Sequence, residues 1–481
     1  MNILYVTSEA VPYVKSGGLA DVTGTLPKAI ENYADGVCVI LPKYACIDGY
    51  FKEKMQKVCE FSVRLGWRQQ YCGIEKLVED GVTFYFVDNE YYFGRSYVYG
   101  ALNMDECERF CFFSKAVLEA LVHIDFSPDI ISCNDWQCGM LPYLLRYQYA
   151  QLPFYSNIKT VYTIHNILYQ GIFNFNWVED FLSVPCEHFT SQNLEFYGDI
   201  NFMKAGIVNS DAVSTVSPTY AKEITSSHLG EGLEGILASK YPPVYGILNG
   251  IDRAQFSPYD DIHLDHHYDI SDLSGKAKCK ESLRYELWLD DDKNAPLLSI
   301  VSRLTEQKGL YLVEHTWERL MAMGVQLAVV GTGDRHFEEF FRWLSNKCGG
   351  RVAARIEYNE HMSRRVYAGS DIFLMPSRTE PCGLAQMIAL RYGTIPVVHE
   401  TGGLRDSIAP YNKYTGEGTG FTFYDYSEDE FINAVARAVE AYKNKDAWKK
   451  LVKRAMQLNF SWDISAVRYM EMYRDITDSC R

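Results

Sequence analysis

The stretch 371–398 constrains the fold of this chain more than any other part of the sequence. It begins with a short apolar run, Ile372 to Met375, that is typical of a buried β-strand. A turn-rich loop over 376–383 follows, then a helical segment over 384–392 and a second apolar strand over 395–398. This order predicts a parallel sheet with the loop at the carboxyl end of the first strand, where open α/β sheets bind ligands.

Two features of that loop favour a binding site. Gly383 and Leu384 would supply the first free backbone amides of the helix, and such amides attract anions. Glu380 would lie beside them, and its carboxylate suits a polyhydroxyl group better than a phosphate. The loop alone leaves a simpler interpretation open, in which Glu380 only interacts favourably with the helix dipole.

The first half of the chain also alternates apolar strands with helical segments. Its first strand leads to Lys15 and the Gly17-Gly18 turn, and a glycine turn before a helix lets the backbone approach a phosphate closely. Two later strands run into Asp135 and His165. Because the carboxyl ends of parallel strands meet at one edge of a sheet, a doubly wound sheet would gather these polar residues along one crevice.

The pattern changes at the Asn249-Gly250 turn, which indicates a boundary between two α/β domains. We expect an N-terminal Rossmann-like domain over 1–248, a linker over 249–257 and a second Rossmann-like domain over 258–460. The segment 461–481 begins with a helix cap and an apolar helical stripe. It is predicted to be a terminal helix that packs back on the N-terminal domain.

A second candidate site follows the strand 297–301, where Arg303 and Lys308 occur. Arg303 offers a planar fork for two phosphate oxygens, and Lys308 offers a compact charge on a flexible stem. Beside the amides of Gly383 and Leu384, these cations would suit a diphosphate leaving group. Two solvated surface cations are the competing interpretation.

Composition excludes several classes of function. The 481 residues are 47% hydrophobic and 23% charged, which is typical of a globular protein of two or three domains. The formal net charge of -15 argues against a nucleic-acid or anionic-membrane partner. The 13 cysteines lack paired spacing, and the N-terminus reads as a strand and not as a signal peptide. We expect a cytoplasmic protein with reduced thiols and no membrane partner. The sequence does not specify its oligomeric state.

The segment 263–267, with the sequence HLDHH, has residue types that bind metals. It lies in a charged irregular region beside Asp260 and Asp261, without the spacing of a metal motif. We expect no metal ion in this protein.

Eight blocks spread over roughly residues 1–475 resemble the bacterial glycogen synthases and plant starch synthases. In order they are KSGGLADV, NDWQCG, YTIHNILYQG, GILNGID, SRLTEQKGL, HMSRRVYAGSD, PSRTEPCGLAQM and TGGLRD. The resemblance implies the GT-B fold, two doubly wound α/β domains that face each other across a deep cleft. It implies a retaining hexosyltransferase that uses ADP-glucose as donor and an α-1,4-glucan as acceptor, without a metal or a further cofactor.

The same resemblance implies catalytic roles for five residues. Arg303 and Lys308 would stabilise the departing ADP. Glu380 would hold the hydroxyl groups of the glucosyl unit, and His165 would face the reacting glucose. Asp135 would line the cleft near the sugar and the acceptor.

A further set of residues is implied to bind the donor. Lys15 and its glycine turn would contact phosphate and sugar, and Tyr358 would stack on the nucleotide base. The complete donor-binding set is Lys15, Gly17, Gly18, Asn249, Tyr358, Cys382, Gly383 and Leu384.

Three other functions stay open at this point. A UDP-glucose-dependent glucan synthase would differ only in base contacts that no motif specifies. A glycoside hydrolase would use Asp135 and Glu380 as its carboxylate pair, but it gives no role to Arg303 or Lys308. A catalytically silent glucan-binding scaffold is permitted by the 35 Tyr, 25 Phe and 8 Trp residues, which can stack on sugars.

Overall fold

A computed structural model of the protein describes residues 1–478. The chain divides into two compact units, one comprising Met1–Gly250 with the segment from Trp462, the other Ile251–Ser461. The first division falls inside the linker predicted over 249–257, and the second lies one residue after the predicted start of the terminal segment. In the described residues, no helix is both long and apolar enough to cross a membrane.

The described residues of the first unit contain twelve strands. In chain order they are β1 Asn2–Val6, β2 Gly36–Pro42, β3 Gln56–Leu65, β4 Arg68–Glu79, β5 Val82–Asp88, β6 Ile130–Asn134, β7 Lys159–Ile164, β8 Ile172–Phe173, β9 Glu195–Phe196, β10 Asp199–Asn201, β11 Ala212–Thr215 and β12 Tyr245–Gly246. Nine of them form one sheet in the order β12-β11-β7-β6-β1-β2-β5-β4-β3. Strands β8, β10 and β9 form a small antiparallel sheet.

Helices separate most of these strands. They are α1 Gly18–Ile30, α2 Gly49–Lys52, α3 Glu90–Phe93, α4 Met104–Ala120, α5 Met140–Leu144, α6 Phe175–Leu182, α7 Phe202–Asn209, α8 Pro218–Glu223 and α9 Glu234–Ala238. The central strands β1, β6 and β7 are almost entirely buried and pair in parallel. Burial on both faces is typical of the central strands of a parallel sheet.

The second unit contains a six-stranded, fully parallel sheet in the order β15-β14-β13-β16-β17-β18. Its strands are β13 Leu297–Val301, β14 Gln326–Val330, β15 Val352–Arg355, β16 Ile372–Met375, β17 Ile395–His399 and β18 Phe421–Phe423. Its helices are α10 Ser274–Glu286, α11 Leu310–Ala322, α12 Arg335–Lys347, α13 Glu360–Gly369, α14 Ala385–Arg391, α15 Gly402–Ser407, α16 Glu428–Lys443 and α17 Lys445–Gln457.

The strand, loop, helix, strand unit predicted over 371–398 is confirmed as β16, α14 and β17. Helix α14 is one residue shorter at each end than predicted. Asp371 fixes the start of this unit, because its carboxylate accepts hydrogen bonds from Lys280 Nζ at 2.5 Å and from the Leu297 amide at 2.8 Å. The bond to Leu297 holds the starts of β16 and β13 side by side.

The C-terminal segment forms helix α18, Trp462–Asp478, which packs against α1 in the first unit. Tyr473 Oη lies 3.0 Å from Tyr5 Oη on β1, and Ser465 Oγ donates to the Leu248 carbonyl at 2.6 Å. These contacts are why the terminal helix is grouped with the first unit. Residues 479–481 of the predicted segment lie outside the described residues.

Candidate functional site

The loop after β16 holds Glu380 in a buried, fixed position. Glu380 is only 6% exposed, and its Oε2 atom has two hydrogen-bond partners. Lys308 Nζ lies 2.7 Å from Oε2, and Ser377 Oγ donates to the same oxygen at 2.9 Å. The Oε1 atom accepts no hydrogen bond from any residue in 1–478, so it stays available to a hydroxyl donor.

Two loops from neighbouring strands bring Lys308 to Glu380. A short turn over Glu306–Lys308 ends at Gly309, where φ is +73° and an added Cβ would lie 1.8 Å from the Pro376 carbonyl oxygen. The Arg378 amide donates to the Gln307 carbonyl at 2.9 Å. Because β13 pairs directly with β16, the loops that follow them are adjacent at the carboxyl edge of the sheet.

Arg303 follows β13 by two residues and is exposed. Across residues 1–478, no acidic side chain forms an ion pair with its guanidinium. An unpaired guanidinium presents its N–H groups to any planar anion that approaches it. Arg303 and Lys308 thus place two positive charges at one edge of this sheet, with only Lys308 paired to a carboxylate.

The turn Thr401-Gly402-Gly403 supports the Glu380 loop from behind. The Gly403 amide donates to the carbonyls of Glu380 and Pro381, both at 3.1 Å. Gly402 has φ +42°, and an added Cβ there would lie 2.0 Å from the Glu380 carbonyl oxygen. The TGGLRD block had no role predicted from the sequence, although two adjacent glycines after a strand are a signal of close backbone approach.

The remaining predicted residues of this loop line the start of α14. Cys382 is buried, Gly383 has φ +73°, and Leu384 caps the helix. Gln386 Nε2 donates to the carbonyls of Cys382 and Gly383, which fixes the turn. Helix α14 itself has seven residues and begins at Ala385, directly after the Leu384 cap.

In the first unit, the structure brings Asp135 and His165 together. Asp135 follows β6, His165 follows β7, and an Asp135 carboxylate oxygen accepts the His165 amide hydrogen at 2.7 Å. Asp135 has φ +56°, a left-handed conformation that costs an L-residue about 1–3 kcal/mol. Burial raises the pKa of Asp135 to about 7, against hydrogen bonds from the amides of His165 and Asn166 that lower the pKa.

The hydrogen bonds of Asn134 determine the tautomer of His165. Asn134 Nδ2 donates to the carbonyls of Val6 and Ser132 at 3.0 and 3.1 Å, so its Oδ1 atom must accept. His165 Nε2 lies 2.9 Å from that oxygen and therefore carries the hydrogen. Burial lowers the pKa of His165 to about 3, so the ring is neutral and Nδ1 is a hydrogen-bond acceptor.

The raised pKa of Asp135 predicts an unusual pH dependence of stability. An unfolded aspartate loses its proton near pH 4, whereas folded Asp135 retains its proton up to about pH 7. The native state therefore binds more protons in this window, and its stability falls as pH rises from about 4 to about 7. We expect Asp135→Asn to raise the Tm at pH 8 by about 2–4 °C, the shift for roughly 1 kcal/mol in a unit of this size.

Calorimetry of both proteins at pH 4 and pH 8 measures this effect. The difference in Tm should become small at pH 4, where folded Asp135 is protonated and the unfolded aspartate is about half protonated. Equal Tm values at pH 8 would show that the charged form of Asp135 carries no cost in the folded protein.

Glu9 is a buried acidic residue of the first unit that the sequence interpretation did not select. Its carboxylate accepts hydrogen bonds from the amides of Ser16 and Gly17 and from the hydroxyl of Tyr99. Burial raises the pKa of Glu9, and these hydrogen bonds oppose the rise. Glu9 thereby shapes the turn that carries Lys15. The available signal was an acidic residue soon after the apolar strand β1.

The glycines of this turn are not required by the fold itself. Neither Gly17 nor Gly18 has a positive φ. An added Cβ at Gly17 would meet nothing closer than 3.9 Å, and one at Gly18 would meet nothing within 4 Å. The two positions therefore leave open space against the backbone, as a ligand that approaches closely would need. Lys15 Nζ lies 2.7 Å from Asp21, and its side chain is partly exposed.

The structure does not join the other two predicted residues to these groups. Asn249 is buried, and its Oδ1 atom accepts no hydrogen bond within residues 1–478. Tyr358 is 81% exposed, in the loop between β15 and α13, and no ring contact or hydrogen bond ties it to Glu380 or Lys308 in the described chain. Both assignments stay predictions.

The metal-binding residue types of the described chain do not cluster. Within residues 1–478, no three or more His, Cys, Asp or Glu side chains are arranged to hold a metal ion. In the segment 263–267, the His263 ring packs edge-on against His361 and the Asp265 carboxylate pairs with Arg365.

Comparison with known proteins links both units to glycosyl transfer. The family described as starch synthase catalytic domain matches residues 2–239, and the family glycosyl transferases group 1 matches residues 289–455. The chain is 47% identical over 477 residues to the glycogen synthase of Clostridium novyi (strain NT), with 99% of each chain covered. It is 46% identical over 484 residues to the glycogen synthase of Clostridioides difficile (strain 630), which covers 99% of this chain and 100% of the relative.

The chain belongs to the glycogen and starch synthase family. As a member of this family it is a glucosyltransferase, as the sequence blocks predicted. Among solved structures it is similar to the catalytic domain of Starch Synthase IV from Arabidopsis thaliana bound to ADP and acarbose. That match has a TM-score of 0.91 at 32% identity and covers 99% of both chains, which confirms the predicted GT-B fold class.

Proposed function

We propose that this member of the glycogen and starch synthase family transfers glucose from ADP-glucose to the non-reducing end of an α-1,4-glucan, with retention of configuration. The observation that carries the proposal is the arrangement of Arg303, Lys308 and Glu380 at one edge of the second sheet. Two cations and one carboxylate with a free oxygen match a diphosphate that is joined to a polyhydroxyl sugar.

Arg303 and Lys308 would bind the diphosphate and stabilise the charge that develops as it leaves. Lys308 uses one N–H toward Glu380 at 2.7 Å, which leaves two further N–H donors on its ammonium group. The Glu380 Oε1 atom would accept a hydrogen bond from a hydroxyl of the glucosyl unit. These two cations offer the charge neutralisation that a metal ion supplies in other transferases.

Residues of the first unit would act on the sugar. His165 is neutral, so it can accept a hydrogen bond through Nδ1 without repelling the positive charge that develops on the glucosyl ring. The acceptor hydroxyl would enter on the face from which the diphosphate leaves, and a phosphate oxygen would take its proton. Asp135 would line the acceptor side. The proposed donor-binding residues are Lys15, Gly17, Gly18, Asn249, Tyr358, Cys382, Gly383 and Leu384.

The proposal specifies ADP-glucose because ADP is bound in the similar Arabidopsis starch synthase structure. UDP-glucose is the second candidate donor, since the described contacts do not involve a base. Membership of a transferase family favours transfer over hydrolysis by Asp135 and Glu380. The charged residues needed for transfer are all present, which also disfavours a catalytically silent scaffold.

We further propose that the enzyme works in the cytoplasm on its nucleotide sugar and glucan, with no cofactor beyond the donor. The net charge of -15 disfavours nucleic acid or an anionic membrane as a partner.

Release of nucleoside diphosphate with glycogen as acceptor tests this function directly. We expect fast ADP release and elongation of the glucan from ADP-glucose, with little release from UDP-glucose, in the presence of a metal chelator. Anomeric analysis of the product should show an α-linkage. Silence with both donors would overturn the proposal, and equal rates with both would overturn the choice of ADP-glucose.

A further inference from the structure

The first unit contains a polar cleft that none of the predicted site residues lines. It lies between the turn of the β3–β4 hairpin and the end of α6, and it has a volume of about 420 Å³, within the range of about 300–1,000 Å³ typical of small-molecule sites. Its lining includes Arg64, Gly66, Trp67, Glu179, Asp180 and Cys186.

Trp67 is the main aromatic surface of this cleft and is 77% exposed. Its indole is nevertheless held in place, because the Arg68 guanidinium lies 4.6 Å from the Trp67 ring and 5.0 Å from the Phe181 ring. Arg68 is itself anchored by an ion pair of 2.9 Å with Asp180. An exposed indole that is already oriented loses little conformational entropy when a ligand stacks on it.

The end of α6, which forms the wall of the cleft opposite Trp67, is held against the hairpin turn by a close backbone contact. Gly66 has φ +61°, and an added Cβ there would lie 1.9 Å from the Asp180 carbonyl oxygen. Helix α6 ends at Leu182, and Ser183 takes a left-handed conformation with φ +53°. The hairpin turn and the end of α6 are therefore in direct backbone contact and form one continuous wall of the cleft.

Hydrogen-bond donors and acceptors surround the indole. Glu179 and Asp180 provide carboxylate acceptors, and Arg64 provides guanidinium donors beyond the one that its Nε gives to the Gly66 carbonyl at 3.0 Å. The carboxylates disfavour an anionic ligand, and the charged wall disfavours a purely apolar one. A sugar fits both features, because its C–H face stacks on an aromatic ring while its hydroxyl groups bond to planar polar side chains.

We propose that the cleft at Trp67 binds a glucan chain. The sugar class follows from the cleft itself, whereas the choice of an α-1,4-glucan rests on the proposed function. A polymer held at Trp67 stays tethered to the enzyme between transfers, which raises the effective concentration of its chain ends.

Thiol labelling tests the site without any glucosyl transfer. Cys186 lines the cleft and is exposed, and Cys46 is exposed elsewhere in the same unit, so it serves as an internal control. We expect maltoheptaose to slow iodoacetamide labelling of Cys186 at least about fivefold and to leave Cys46 unaffected, as measured by peptide mass spectrometry. Trp67→Ala should abolish the protection, and Trp67→Phe should retain part of it.

Affinity electrophoresis in glycogen gels provides the second measurement. Trp67→Ala should migrate faster than the wild type, whereas Trp288→Ala should match the wild type, because Trp288 is 85% exposed in the other unit and does not line the cleft. Unchanged retardation and protection in Trp67→Ala would overturn the proposal. Equal protection by cellohexaose would overturn the assignment to an α-glucan. Because neither the labelling nor the electrophoresis contains a nucleotide sugar, a negative result in these two measurements is distinguishable from a failure of the transferase assay.

Discussion

Glu380→Gln should lower kcat by about 10²- to 10³-fold, the range for loss of a charged group that acts on the transition state. The substitution keeps the size of the side chain and an oxygen for Ser377 Oγ, which donates to Glu380 at 2.9 Å. It removes the negative charge that fixes Lys308 Nζ at 2.7 Å. Lys308 would then lose its defined position relative to the diphosphate, and the hydroxyl groups of the glucosyl unit would lose a charged acceptor.

The same variant should also be less stable, because removing one partner of a buried ion pair leaves the other charge uncompensated. The side chains of Lys308 and Glu380 are only 16% and 8% exposed. A double variant, Lys308→Met with Glu380→Gln, should recover part of the lost Tm but none of the lost kcat. Recovery of both by the double variant would mean that the pair is structural and has no catalytic role.

Local sequence patterns were sufficient to predict the unit that carries Glu380. The apolar runs of β16 and β17 and the glycines between them specify the strand, loop, helix, strand order without any distant contact. The contact of Lys308 with Glu380 joins residues 72 positions apart and depends on the pairing of β13 with β16. No spacing in the sequence encodes that pairing, so the sequence pattern selected Lys308 as a cation after a strand but did not predict its contact with Glu380.

Other features were outside the reach of sequence patterns for a different reason. Glu9 is buried because the amides of Ser16 and Gly17 fold back over its carboxylate, and a lone acidic residue after a strand does not predict this. Asp135 adopts φ +56°, although it is not a glycine, because contacts with the turn after β7 maintain that conformation. In both cases tertiary contacts determine a local conformation that the local sequence does not favour.

The conformation of the cleft at Trp67 is likewise determined by tertiary contacts. Arg68 and Asp180 form their ion pair across 112 positions of the chain, and this pair orients the indole. From sequence alone, Trp67 is one of 8 tryptophans, and an alternating hairpin gives no indication that its turn packs on a helix end.

Arg303→Ala should lower turnover by about 10²- to 10³-fold while the Tm stays at the wild-type value. The two expectations have one physical origin. Arg303 is exposed and forms no ion pair within residues 1–478, so its loss removes no contact that stabilises the folded unit. In the proposed mechanism its guanidinium would gain its partner when the diphosphate binds, and two N–H donors aligned with two phosphate oxygens would stabilise the departing charge.

Arg335→Ala is the matched control, since the Arg335 side chain is 90% exposed at the start of α12 and, within residues 1–478, pairs only with Glu339 on the same helix. It should leave both turnover and Tm unchanged. Arg303→Lys should fall between the wild type and Arg303→Ala, because an ammonium keeps the charge but loses the bidentate geometry. Titration calorimetry should show weaker ADP binding in Arg303→Ala, with the heat of binding to malto-oligosaccharides preserved. Normal turnover in Arg303→Ala would remove this residue from the mechanism, and the charge of the leaving group would then have to be met by Lys308 and the backbone amides of the Glu380 loop.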